Sequence, residues 1–110
     1  VLGRGAFRSF EHHTTGTALL VRLPDGRVLV RLQDLVTSDG PDVHVWLSTA
    51  PASASEDAFP PGNVELGRLK GNLGNQNYAV PGGADLARFA SVVIWCERFS
   101  VAFAAAPLSA

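Results

Sequence analysis

The sequence predicts an all-β domain, a compact β-sandwich or closed β-barrel of about eight short strands. Val- and Leu-rich runs at 17–22 and 27–32 flank Pro24, Asp25 and Gly26, a turn signal that predicts a hairpin. Glycines at 62, 67, 71, 74, 82 and 83 punctuate the middle of the chain too closely for long helices. Near the end, SVVIWCER and SVAFAA have the length and the β-branched or aromatic content of central strands. Strands of this kind are buried more readily by two layers, or by closure, than by one open sheet with two bare edges.

Taken along the chain, Pro24 sets a turn φ and Gly26 tolerates one closed to other residues, which centres the first hairpin on Asp25 and Gly26. A polar turn follows at 38–41, where the Asp39 carboxylate is placed to accept backbone N–H groups ahead of Gly40. Val43, Val45 and Leu47 then alternate with His44, Trp46 and Ser48, so this strand presents two different faces. Residues 49–61 hold four Ala, three Pro and two Ser without a helical stripe, and read as a surface loop that Phe59 pins down. Asp85 is placed to cap a single helical turn carrying Leu86 and Phe89 on one side. The strands at 91–98 and 100–105 complete the core.

Size and charge narrow the function. At 110 residues the chain fills one domain, with a folded surface of about 5,800 Å². Its 46% apolar and 17% charged residues favour collapse over disorder. Nine basic and ten acidic residues are interspersed, which leaves no field to attract a phosphate backbone and argues against nucleic acid. No apolar run reaches the roughly 18 to 20 residues of a membrane-spanning helix. The opening VLGRGAF, with neither an initiating Met nor a basic leader, reads as a piece of a longer protein.

Cys96 is the only cysteine, which excludes an intrachain disulfide and multi-thiolate metal centres. In a strand, Val92, Ile94 and Cys96 point one way and Val93, Trp95 and Glu97 the other. If the Val92 face is core, Cys96 is a small buried hydrophobe, inert to exchange; beside Glu97 and Arg98 at a sheet end it becomes a reactive thiol or a haem ligand. His44 lies on the Trp46 face and is the candidate partner of Cys96, for nucleophilic chemistry or mixed axial ligation. His12 and His13 are adjacent and turn to opposite sides of a strand, a weak chelating motif. The scattered His and Asp define neither a zinc nor a calcium site, so no metal is expected. Gln76, Asn77 and Tyr78, with Asn75, have the donors and acceptors to tie loops to strand ends, or to form a recognition surface with Trp46.

Three ordered blocks, GPDVHVWLS at 40–48, LGRLKGNLGNQNYAVP at 66–81 and SVVIWCERFSVAFAAAPL at 91–108, resemble the DM-thirteen family. Its members are described as electron-transfer domains and stand beside DOMON-type cytochrome modules in cell-surface proteins. The likeness runs from Gly5 to Leu108 and includes Phe7, His12 and the Thr15-Gly16 pair. It implies an extracytoplasmic module, secreted or anchored at the cell envelope, in which Cys96 is the redox cysteine, as a free thiol or through a prosthetic group such as haem. Ala104 stands where family members often have Gly, and Trp46 where Tyr is common.

Two functions compete. One is a single-thiol redox module that needs an external redox protein, a mixed disulfide or a cofactor. The other is a noncatalytic cell-surface binding or structural domain with Cys96 in the core and Trp46, Tyr78 and the 49–61 loop as its surface. No nucleophile, base and orienting group form a recognisable catalytic set. The isolated domain is expected to carry no haem, because a small packed sandwich has limited room and the chain has no Met to serve as a second axial ligand.

Overall fold

The computed structural model describes residues 1–109, which form nine strands in two antiparallel sheets. The first sheet has the order β1 (Gly3–Ala6), β3 (Thr15–Arg22), β4 (Val28–Val36) and β7 (Leu73–Ala79). The second runs β2 (Arg8–Ser9), β9 (Val101–Pro107), β8 (Ser91–Cys96), β5 (Val43–Ser48) and β6 (Val64–Arg68). Of the two expected architectures the protein adopts the sandwich. The short strands β1 and β2 bring the number to nine, and between them the chain passes from one sheet to the other at the buried Phe7. The accessible surface of 5551 Å² is close to that expected for one domain.

The first hairpin forms where its turn residues put it. The Leu23 N–H donates to Arg27 O at 2.7 Å, the Gly26 N–H donates to Leu23 O at 2.9 Å, and Gly26 adopts φ +92°. Asp25 accepts from both the Arg27 backbone N–H and its guanidinium. The same two strands carry a bulge at Gly16, whose φ is +117° and where a Cβ would lie 2.9 Å from the carbonyl oxygens of Gln33 and Asp34. Gly5 meets a different restriction: a Cβ there would lie 2.0 Å from Pro107 O, so its bare backbone is what lets β1 approach β9.

Alternation in β5 separates two apolar layers. Val43, Val45 and Leu47 join Leu32, Val30, Val92, Ile94, Cys96 and Phe103 between the sheets. Trp46 faces outward and packs with Val93, Trp95, Ala102, Ala105 and Phe59 in a second cluster on the outer side of the second sheet. The 49–61 segment covers this cluster, with a 3-10 turn at Glu56–Ala58 and with Phe59 fully buried. It is therefore a lid over hydrophobic surface. The Asp85 region forms a 3-10 turn at Leu86–Arg88, and Leu86 and Phe89 pack on the main core as expected. The Asp85 side chain makes no capping hydrogen bond, which corrects the role assigned to it from sequence. Asp39 does accept the Gly40 N–H, at 2.9 Å.

Candidate functional site

The candidate site is built around the end of β8 because that strand holds the only thiol. Every residue from Ser91 to Cys96 is buried, since the main core lies on one face of β8 and the Trp cluster on the other. Cys96 is paired across the sheet with Val43 on β5 and Val101 on β9, and it has no exposed surface. It is unpaired and belongs to the apolar core.

His44 is not its partner. The register sets His44 opposite Trp95 and Val43 opposite Cys96, so alternation directs the imidazole and the thiol to opposite faces of the sheet. His44 instead bonds through Nδ1 to Glu65 at 2.8 Å and through Nε2 to Asp42 at 2.7 Å, and Arg68 approaches the same Asp42 oxygen at 3.4 Å. Burial by itself lowers the His44 pKa, but the hydrogen bonds and charges of Glu65 and Asp42 outweigh it and hold the imidazole above its ordinary value. Glu65 also accepts the Trp46 indole N–H at 3.0 Å, and the Trp46 and Trp95 rings stack with centroids 4.6 Å apart. Sequence reasoning did not anticipate this stack. Its signal was the apolar composition of both faces of the 91–96 strand, which requires a second buried layer.

The proposed recognition residues are mostly internal. Trp46, Gln76 and Tyr78 are buried, which overturns their assignment to a binding surface, and of that set only Asn75 and Asn77 are exposed. Tyr78 and Gln76 clasp the preceding loop onto β7. The Tyr78 hydroxyl accepts the Lys70 N–H at 2.7 Å and donates to Gln76 Oε1. The Gln76 amide donates to Gly71 O and accepts the Gly71 N–H. Lys70 Nζ donates to Asn77 O and lies 5.1 Å from the Tyr78 ring centroid. Burial raises the Tyr78 pKa against the opposing bond from Lys70, so the phenol stays protonated as a donor. These bonds give the LKG and QNY blocks a folding role.

Haem does not fit the pair Cys96 and His44, because one iron cannot reach ligands on opposite faces of a sheet and no path leads to the buried sulfur. Four surface clefts have volumes of about 350 to 500 Å³, and neither Cys96 nor His44 lines any of these four. Among the described residues no group of three His, Cys, Asp or Glu is placed to hold a metal ion, and no helix is long and apolar enough to cross a membrane.

Comparison with known families matches the chain to a family model described as Electron transfer DM13, over residues 6–108. Comparison with curated proteins and with solved structures gave no match.

Proposed function

We propose, since the chain belongs to the electron transfer DM13 family, that this domain is an accessory redox module of the cell envelope that docks noncovalently on a redox-active partner. Family membership and the single buried, unpaired cysteine are consistent with a redox-associated role. The observation that carries the proposal is the complete burial of Cys96. Thiol–disulfide exchange requires a thiolate that can reach a disulfide sulfur, and a sulfur sealed between two sheets has no such approach. The electron-carrying group then belongs to the partner, and this domain supplies a rigid surface against which that partner is held. Cys96 contributes to the packing of that surface. The secreted or anchored location rests on the family's association with cell-surface cytochrome modules.

The test is to measure the reduction kinetics and midpoint potential of a DOMON-type cytochrome module with and without the domain. The expected result is a change produced equally by wild type and by Cys96→Ala. A mixed disulfide trapped between the native proteins, or loss of the effect in a Cys96→Ala protein of unchanged stability, overturns the noncovalent reading. An unaltered cytochrome overturns the redox association itself.

A further inference from the structure

The end of the sandwich that holds Cys96 carries an unusual piece of surface. Phe99, in the turn from β8 to β9, is 63% exposed. Ser100 next to it has φ +52°, a left-handed conformation that a residue with a side chain adopts at a cost of about 1 kcal/mol. The turn thus combines backbone strain with a solvated aromatic ring, two features that folding alone does not favour. Phe99 borders a cleft of about 500 Å³ whose other walls are Glu11, His12, Asp39, Gly40, Pro41, Val101 and Phe103. Val101 is the register partner of Cys96, and the His12 ring sits edge-on to the buried Phe103 at 4.2 Å.

The charge in this cleft has one sign. Glu11 and Asp39 line it, and no lysine or arginine does. Glu56 stands behind Glu11; burial first, and then the Glu11 charge, hold its carboxyl above the ordinary range. An apolar centre with a charged rim is the form of small, transient interfaces, in which rim charges steer approach and an aromatic anchor supplies most of the affinity.

We infer that this cleft is the docking face for a basic protein partner, with Phe99 inserted as the apolar anchor and Glu11 and Asp39 receiving lysine or arginine side chains. The inference rests on the accessory-module reading above and names the surface that reading requires. It also places the partner against the end of the sheet where Val101 and the Glu97–Ser100 turn adjoin Cys96.

The probe is a c-type cytochrome with lysines around its haem edge, titrated into isotope-labelled domain at low salt and followed by amide chemical shifts. Its lysine-acetylated form serves as the charge control. Shifts should concentrate at Glu11, His12, Asp39, Gly40 and 99–101, and the acetylated protein should lose at least about tenfold in affinity. A similar loss should accompany a rise in ionic strength from 0.01 to 0.15 M, which shortens the Debye length from about 30 Å to about 8 Å. Phe99→Ser should weaken binding about tenfold with melting temperature unchanged, whereas Val36→Ser, at an exposed apolar residue of the other sheet, should have no effect. Shifts centred on another face, or equal affinity in Phe99→Ser, overturn the inference. The same Phe99→Ser protein in the DOMON-type cytochrome assay separates the two failures. If wild type and variant act alike on that cytochrome, the docking face is wrong and the accessory role stands; if neither acts, the accessory role falls.

Discussion

Replacing Phe59 by Ala tests whether the 49–61 segment seals a second core. Phe59 has no exposed surface, its ring meets Phe10 edge-on at 5.6 Å, and its carbonyl accepts the Ser48 hydroxyl at 3.2 Å. Removing a buried Phe side chain costs about 3–5 kcal/mol. This one sits beneath a loop that can partly collapse into the space, which sets the expectation near the lower end, about 3 kcal/mol. A domain of ordinary stability, about 5–15 kcal/mol, remains folded after that loss. Urea unfolding measures the cost, and tryptophan emission measures the place: the lid covers Trp46 and Trp95, so their emission should move to longer wavelength in the native variant. Ile94→Ala is the matched control. Ile94 is also fully buried but on the opposite face of β8, and its loss should cost roughly 2–5 kcal/mol without moving the native emission. A Phe59→Ala protein that loses less than about 1 kcal/mol and keeps its emission would refute the lid.

Three further expectations follow from single contacts. Gly5→Ala forces a Cβ against Pro107 O and should cost about 1–3 kcal/mol, with faster amide exchange confined at first to β1 and the end of β9; a neutral substitution would mean that the strands do not approach so closely. Tyr78→Phe leaves the Lys70 N–H without its acceptor and should cost about 1–3 kcal/mol in urea unfolding, while Asn77→Ala, at an exposed site, should cost less than the buried clasp. His44 binds its proton more tightly in the folded state, so its contribution to stability is complete below the unfolded pKa near 6.5 and is lost as pH rises through the higher folded value. His44→Gln should accordingly remove part of the stability difference between pH 5.5 and 8, and an unchanged pH profile would contradict the Asp42–His44–Glu65 bridge.

Local signals specified much of this fold. The Pro24-Asp25-Gly26 turn sits where its residues predict, and the alternation across 43–48 separates two layers as read. The 49–61 segment was harder because its own composition is that of a loop; its covering role is dictated by Val93, Trp95, Ala102 and Ala105, distant in sequence, which leave an apolar outer face that water would otherwise meet. The candidate site was less legible. Whether Cys96 is core or surface depends on which face of β8 meets the first sheet, and the separation of His44 from Cys96 depends on the β5–β8 register, neither of which local pattern supplies. Gln76 and Tyr78 were ambiguous for a related reason: groups that suit recognition equally suit a buried loop clasp, and only the position of the Lys70 and Gly71 backbone distinguishes the two. The exposure of Phe99 follows from the turn at Ser100, which the residue types around it do not dictate.

The central claim is that the only thiol is sealed in the core, so that redox association proceeds without disulfide exchange. Its most direct test is the rate at which Cys96 reacts with a small disulfide reagent, measured across increasing urea beside the global unfolding curve. The account predicts negligible labelling of the native protein and a reactivity that rises in step with global unfolding, because Sγ becomes accessible only when the two sheets part. Rapid stoichiometric labelling of the native state, independent of urea below the unfolding transition, would contradict it and return Cys96 to the role of an exchanging thiol.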